Sequence, residues 1–252
     1  MSDRPDQIEG RNPVREALRS GRGIRRLLVA EGVTGDAIAE ILRTARSVGV
    51  PVERVARRTI DRMAESRAHQ GVIAEAESFR YRPWRGALDL AAERNEPALL
   101  LALDGITDPG NVGSLCRSAE AAGAHGVVLS LRRSASVTPV VEKAAAGALS
   151  HLVVDQVPSL ASTLADLRKS GVWTVGLAAE SETPIWACDL LVEPLVLVVG
   201  AEGKGLSRLV AERSDALVSI PLKGSVGSLN AAVAGAVALF ETVRRRHVER
   251  TS

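Results

Sequence analysis

The sequence is poor in the residues on which several classes of protein depend. Only two of its 252 residues are cysteines, Cys116 and Cys188, and they stand far apart. This excludes a disulfide scaffold and a cysteine metal site, and it favours a reducing, cytoplasmic compartment. The four histidines have no metal-ligand spacing either, so we expect no bound metal.

Long apolar runs are also missing. The longest candidate, residues 231–240, is rich in Ala and Gly and falls well short of the roughly 20 residues of a membrane span. The N-terminal stretch MSDRPDQIEG is polar and lacks the apolar core of a signal peptide. We therefore expect a cytoplasmic protein that does not bind a membrane.

What is present is the composition of a globular protein with an uneven charge. The chain is 46% hydrophobic and 25% charged, and its length suits one large or two small domains. Residues 1–85 hold 17 Arg against 12 acidic residues, whereas residues 86–252 hold 15 basic against 18 acidic residues. The basic N-terminal third indicates either a nucleic-acid partner or a solvated arginine-rich surface.

The pattern of apolar residues predicts two α/β units. In residues 1–78, where Asn12-Pro13 is a typical helix start, we expect helices at 12–20, 36–48 and 59–65 and strands at 24–30, 51–55 and 71–75. From residue 98 onward, we expect strands at 98–103, 126–131, 151–154, 172–177, 195–200 and 216–221 and helices at 111–122, 138–149, 159–169, 207–213 and 228–246. Continuous apolar strands separated by helices indicate a parallel sheet buried on both faces.

Residues 79–97 are predicted to be a linker between the units. Three of the six aromatic residues of the chain, Phe79, Tyr81 and Trp84, alternate here with arginines. Such a pattern either stacks on bases and holds phosphates or packs the segment onto one of the domains.

Three loops follow strands and carry the candidate chemistry. In the first, residues 108–111 predict a tight turn with Asn111 as the N-cap of the next helix. Gly113 would keep the first helical turn clear for a ligand. Arg117, four residues later on the same face, would either reach a phosphate or oxyanion over that clear surface or pair with Glu120.

The second and third loops are rich in glycine. In residues 200–207, Glu202 is the only acid, and a carboxylate there argues against a triphosphate and favours a neutral or cationic ligand. In residues 220–230, Ser228 is either a simple N-cap or a functional residue, and Asn230 is either an exposed polar residue of the first turn or a functional one. We expect all three loops to meet at the carboxyl end of the sheet.

Three stretches resemble the ordered motifs of a known family. DPGNVGSLCRSAEAAG, VVGAEGKGLSRL and SIPLKGSVGSLNAAVA are similar to those of the SpoU (TrmH) class of RNA ribose 2′-O-methyltransferases, over about residues 98–246. In the first unit, IEGRNPVREAL and AHQGVIAE resemble the small ribosomal-protein-like (L30e-like) domain of members that act on large-subunit ribosomal RNA.

The resemblance implies a fold, a reaction and partners. A small L30e-like α/β domain (1–78) would precede a parallel-sheet, trefoil-knot methyltransferase domain (98–252). S-adenosyl-L-methionine would be the methyl donor. The acceptor would be the ribose of a guanosine in large-subunit ribosomal RNA, and the working form would be a homodimer.

The resemblance also implies site residues by motif position. The catalytic group would be Asn111, Arg117, Glu202, Ser228 and Asn230. The methyl donor would contact Gly176, Gly200, Ile220, Leu222 and Leu229. The resemblance assigns to Arg117 the activation of the 2′-hydroxyl. Because a guanidinium group has only donors, we favour a role in stabilising a developing alkoxide, and the choice between base and electrostatic clamp stays open. Cys116, beside it, is expected to be a small buried residue.

Other functions remain open at this stage. A transfer-RNA ribose methyltransferase and a ribosomal RNA methyltransferase that confers antibiotic resistance share these motifs. A non-catalytic RNA-binding module is a different class, and the presence of Asn111, Arg117, Glu202 and Asn230 argues against it. A nucleotide-binding dehydrogenase is the weakest reading, since no G-x-G-x-x-G follows any strand.

Overall fold

The computed structural model describes residues 6–19, 23–64, 68–77, 79–132 and 134–251. These residues form two compact units that divide between Arg80 and Tyr81. None of the helices in these ranges is both long enough and apolar enough to cross a membrane.

The first unit is a four-stranded mixed sheet with helices. Its strands lie in the order β1-β4-β2-β3, and only the β2–β3 pair is parallel. The strands are β1 (Asp6–Glu9), β2 (Ile24–Ala30), β3 (Val52–Val55) and β4 (Val72–Ala76), and the helices are α1 (Arg11–Arg19), α2 (Asp36–Ser47) and α3 (Arg57–Met63). Leu27, Ile41, Ile60 and Ile73 lie fully buried in one apolar core. Two details differ from expectation: β1 was not predicted, and α1 begins at Arg11 rather than after an Asn12 cap.

The second unit is built on a six-stranded sheet in the order β10-β8-β9-β5-β6-β7. Every neighbouring pair is parallel, which confirms the predicted parallel sheet. The strands are β5 (Leu99–Asp104), β6 (Gly126–Ser130), β7 (Val153–Val157), β8 (Trp173–Leu177), β9 (Leu195–Gly200) and β10 (Ala216–Val218). The helices are α4 (Arg85–Glu93), α5 (Pro109–Ala121), α6 (Pro139–Ala145), α7 (Leu160–Lys169), α8 (Arg208–Arg213) and α9 (Ala231–Thr251).

The two central strands determine where the loops emerge. The apolar residues of β5 and β9 are almost completely buried, as expected for strands covered on both faces. They pair in register from Leu99 opposite Leu195 to Asp104 opposite Gly200. The loops that follow Asp104 and Gly200 therefore leave the same edge of the sheet side by side, where α/β proteins place ligands.

Several helix boundaries differ from the predicted ones because the local backbone changes. The expected helix at 138–149 stops at Ala145, since Ala146 and Gly147 adopt left-handed conformations with φ of 49° and 92°. A separate 3-10 turn follows at Ala148–Ser150, and two further 3-10 turns, Ile185–Ala187 and Asp189–Val192, were not predicted.

Part of the predicted linker belongs to the core of the second unit. Trp84 and Ala87 are buried at the start of α4, and the Tyr81 hydroxyl accepts the Val137 N–H at 2.9 Å. The Arg85 guanidinium lies 4.4 Å from the centre of the Trp84 ring. For Tyr81 and Trp84, the alternation of arginine and aromatic residues thus serves to pack this segment.

Gly113 occupies a contact too tight for a larger residue. A Cβ there would lie 2.4 Å from the Ala144 Cβ and 2.6 Å from the Val141 carbonyl oxygen, because α5 lies directly against α6. The prediction that Gly113 clears space for a ligand is therefore wrong, since α6 fills that space.

This contact gives a stability prediction. In Gly113→Ala the steric overlap should cost about 1–3 kcal/mol and helix propensity should return roughly 1 kcal/mol, so the net effect should be a lower free energy of unfolding. The matched control is Gly86→Ala in α4, where the nearest atoms to a new Cβ lie 3.8 Å away; it should leave stability unchanged or slightly higher. Urea unfolding measures both, and equal effects of the two substitutions would contradict the packing argument.

Candidate functional site

Asp108, not Asn111, caps helix α5. The Asp108 Oδ1 accepts the backbone N–H of Asn111 at 2.7 Å, and Pro109 fills the first helical position. The predicted tight turn at 108–111 is therefore the first turn of the helix. Because Asp108 supplies the cap, the side chain of Asn111 is free for other contacts, and its Nδ2 donates to Glu202 Oε1 at 3.0 Å.

Asn230 caps helix α9. Its Oδ1 accepts the backbone N–H groups of Ala232 and Val233 at 2.9 and 3.2 Å. The helix consequently begins at Ala231 and not at the predicted Ser228. Of the two interpretations of Ser228, the N-cap is wrong, and a functional role stays a prediction. The Asn230 Nδ2 donates to Asn111 Oδ1 at 3.1 Å and also to Glu202 Oε1.

Glu202 joins these two asparagines. One carboxylate oxygen, Oε1, accepts from both amides and lies 3.4 Å from the backbone N–H of Ala231. We call Asn111, Glu202 and Asn230 the polar triad. Its members come from the three predicted loops, at sequence separations of 91, 28 and 119 residues, so only the tertiary fold brings them together.

A small cavity of about 250 Å³ lies on one side of the loop that carries Glu202. Four of the five predicted donor contacts line it, as does Ser228: Gly200, Ile220, Leu222 and Leu229. The fifth, Gly176, does not line it, because a Cβ at that position would meet Leu206, Leu217 and Ser214 within 3.0 Å. The wall is largely aliphatic, and its charged groups are the carboxylates of Glu180 and Glu202 and the ammonium group of Lys204.

The loop that carries Glu202 is closed by its own backbone. The Ala201 N–H donates to the Gly205 carbonyl at 3.1 Å and the Gly205 N–H returns a bond of 2.8 Å, which closes the loop into a ring. A Cβ on Gly200 would lie 2.3 Å from the backbone of Gly205, so only glycine fits. Residues 222–229 are exposed, and none of their backbone N–H groups donates to another part of the described chain. These N–H groups are therefore available to a ligand.

A large cavity of about 730 Å³ is lined by the same loop. Both cavities share Ala201, Glu202, Lys204 and Gly205. The large cavity is further lined by residues 104–108 and by Asn111, Ser130 and Arg132. The two cavities therefore adjoin at Glu202, as a site that brings two substrates together requires.

Asp104 is a residue of this site that the motif analysis did not select. Its Oδ2 accepts the backbone N–H of Ser207 at 2.6 Å. This hydrogen bond connects the end of β5 to the end of the loop at residues 200–207. The signal was present in the sequence, since Asp104 is an acid that ends an otherwise apolar strand, LLLALD.

Arg117 is not brought to the cavities of its own chain. Its side chain is exposed and lines neither cavity, and within the described ranges it forms no ion pair with Glu120. It lies six residues beyond Asn111, which is about 9 Å along the helix and about 120° around it. Gly113, one helical turn earlier, is buried against α6, whereas Arg117 itself stays exposed.

Cysteine and metal chemistry find no support in the described ranges. Burial raises the pKa of the Cys116 thiol to about 12, which keeps it protonated and unreactive at neutral pH, in agreement with its predicted role as a small buried residue. No group of three or more His, Cys, Asp and Glu in those ranges is arranged to hold a metal ion.

Comparison with family models gives two matches. Residues 98–240 match the model of the SpoU rRNA methylase family. Residues 7–82 match a model described as RNA 2′-O ribose methyltransferase substrate binding.

Named proteins and solved structures agree with these models. A Bacillus subtilis protein named as a TrmH family tRNA/rRNA methyltransferase is 38% identical over 98% of both chains. A Mycobacterium ulcerans protein named as an uncharacterized tRNA/rRNA methyltransferase is 42% identical over 97% of this chain and 79% of its own. The crystal structure of the SpoU methyltransferase AviRb from Streptomyces viridochromogenes, in complex with the cofactor AdoMet, is 29% identical and covers 96% of this chain and 91% of its own, with a TM-score of 0.66.

The cap at Asn230 gives a prediction that separates its two contacts. Asn230→Ala removes both the cap and the amide donor, and it should cost about 0.5–2 kcal/mol of stability. Asn230→Ser keeps a capping oxygen but loses the amide donor to Glu202, so its stability should stay within a few tenths of a kcal/mol of the wild type. Thermal unfolding of the three proteins measures this, and an equal loss in both variants would show that the cap is not what Asn230 contributes.

Proposed function

This chain belongs to the SpoU rRNA methylase family of RNA methyltransferases, and we propose that it methylates the 2′-hydroxyl of a guanosine ribose in large-subunit ribosomal RNA, with S-adenosylmethionine as the donor. The observation that carries this proposal is the pair of adjoining cavities with Glu202 in their common wall. A transfer between two substrates needs two such sites that meet at the reacting atoms.

The lining of the small cavity suits the donor. Ile220, Leu222 and Leu229 offer aliphatic surface for a flat adenine ring, and the unpaired N–H groups of residues 222–229 offer donors to its ring nitrogens. The cavity's two carboxylates, of Glu180 and Glu202, outnumber its one ammonium group, of Lys204, which favours a cationic ligand over a triphosphate. When bound, S-adenosylmethionine supplies a methyl group attached to a positively charged sulfur.

The polar triad is suited to orient the acceptor. A ribose hydroxyl is a weak nucleophile and must be held in line with the methyl group. Glu202 Oε1 is occupied by the two asparagines, whereas its Oε2 accepts no hydrogen bond from the described residues. Oε2 is thus available to accept a hydrogen bond from the 2′-hydroxyl and to fix its direction.

Arg117 and helix α9 support a homodimer. Val233, Val237 and Phe240 are 49%, 41% and 50% exposed, and their spacing places them on one face of α9. A second copy would cover this face, as an isologous contact does. Since Arg117 lies outside the cavities of its own chain, we propose that each site takes Arg117 of the partner subunit to stabilise the developing alkoxide.

The first unit is proposed to dock the RNA. Its arginine excess suits a polyanion, and its match to the substrate-binding model supports the same role. Transfer RNA is the second candidate substrate, because the relatives carry tRNA/rRNA names. An antibiotic-resistance methyltransferase would also act on ribosomal RNA.

The direct test is transfer of a labelled methyl group. The protein is incubated with labelled S-adenosylmethionine and with separated ribosomal and transfer RNA, and the modified ribose is mapped. We expect label at one guanosine of the large-subunit RNA. Label confined to transfer RNA would support the second candidate instead. Donor binding without transfer to any RNA would indicate a non-catalytic module.

Arg117 gives a prediction for both its role and its subunit. Arg117→Ala should abolish transfer but leave S-adenosylmethionine affinity by calorimetry nearly unchanged, because Arg117 does not line the small cavity. Mixing equal amounts of inactive Arg117→Ala and inactive Glu202→Ala protein should restore about a quarter of wild-type activity, since half of the dimers then hold one intact composite site. No recovery after verified subunit exchange would mean that Arg117 acts within its own chain.

A further inference from the structure

The large cavity has a lining that the methyl-transfer step alone does not explain. Its volume of about 730 Å³ lies in the range of roughly 300–1,000 Å³ typical of small-molecule sites. Five charged side chains line it: Asp104, Asp108, Arg132, Glu202 and Lys204. Of these, only Glu202 has a role in the function proposed above.

We propose that the large cavity receives the base of the nucleotide whose ribose is methylated, and that Asp104 selects a base with a ring N–H, namely guanine or uracil. The inference rests on the proposed function, because it assumes that the acceptor ribose lies at Glu202. A base that enters such a cavity must leave its stack, as enzymes that act on single nucleotides require.

The charge of the large cavity favours a base over a phosphate. Its three carboxylates exceed its two cations by one negative charge, so the sugar-phosphate backbone is disfavoured inside it. A neutral base with both hydrogen-bond donors and acceptors can pair with both signs of charge. The large cavity therefore suits the one neutral part of a nucleotide that carries sequence information.

Asp104 presents a fixed acceptor to the large cavity. Its Oδ2 is held by the Ser207 N–H at 2.6 Å, while its Oδ1 accepts no hydrogen bond from the described residues and is not sealed from solvent. An ionised carboxylate can only accept. It therefore stabilises the ring N–H of guanine or uracil and repels the ring-nitrogen lone pair that adenine and cytosine present at the same place.

The two cations of the large cavity complement this choice. In guanine and uracil a carbonyl oxygen stands next to the ring N–H, whereas adenine and cytosine carry an amino group there. Arg132 and Lys204 have only donors and line the same cavity as Asp104. Arginine and lysine are the usual partners of the guanine O6, so acceptor and donors in the cavity favour the same two bases.

The test compares four nucleosides while the small cavity is filled. Saturating the full-length protein with S-adenosylhomocysteine prevents adenosine from binding as a donor analogue. Saturation-transfer NMR then gives the relative affinities of guanosine, uridine, adenosine and cytidine. We expect guanosine and uridine to bind about tenfold more tightly, as one charge-assisted hydrogen bond allows. Equal binding of all four nucleosides by the wild type would overturn the proposal.

Asp104→Asn is the matched variant. It keeps an oxygen for the Ser207 N–H but turns an NH₂ group toward the cavity, so the preference should move to adenosine and cytidine. The exposed Arg132→Ala provides a second variant that does not touch the Ser207 contact, and it should weaken guanosine and uridine selectively. An unchanged order of nucleoside affinities in both variants would overturn the assignment of Asp104 and Arg132 as the residues that select the base.

The labelled-methyl assay distinguishes failure of this inference from failure of the proposed function. Methyl transfer to RNA with no nucleoside preference in the large cavity would overturn the inference alone. Nucleoside selectivity that Asp104→Asn inverts, without methyl transfer to any RNA, would overturn the proposed function and keep the cavity as a base-binding site.

Discussion

The site depends on one carboxylate oxygen that holds three loops. Glu202 Oε1 accepts from the side chains of Asn111 and Asn230 and faces the N–H of Ala231. Each asparagine is itself fixed at the start of a helix, by the Asp108 cap in one case and as the cap in the other. Because carboxylate hydrogen bonds are stronger than neutral ones, this single atom positions the walls of both cavities relative to each other.

Much of the second unit could be predicted because its strands are continuous apolar runs. LLLALD and LVLVVG can only be buried on both faces, and this fixes a parallel sheet and the edge at which its loops emerge. Short strands and helices were harder to predict from the sequence. β1 contains one buried apolar residue, Ile8, and so shows no alternation. Helix α4 was assigned to a linker because the aromatic residues that precede it could equally serve binding or packing.

The helix caps show why local sequence does not settle the site. Asp108 and Asn111, or Ser228 and Asn230, are equally good capping residues, and only the fold decides which one caps and which is left to act. The same limit applies to Arg117. The helical period places it one turn beyond Gly113, but only tertiary packing buries Gly113 against α6 and leaves Arg117 exposed and outside both cavities. Asp104 could not be predicted as a site residue, because its contact forms only when the fold places β5 beside the loop at residues 200–207.

The three members of the polar triad should act as one unit, and a double-mutant cycle between Asn111→Ala and Asn230→Ala tests this most directly. The measured quantity is the rate of methyl transfer from S-adenosylmethionine to the mapped RNA. If the two amides act only together through Glu202, the double variant should lose little more activity than the worse single variant. If the fold-losses in rate of the two single variants multiply in the double variant, the asparagines act independently. That result would contradict the claim that the polar triad acts as one unit.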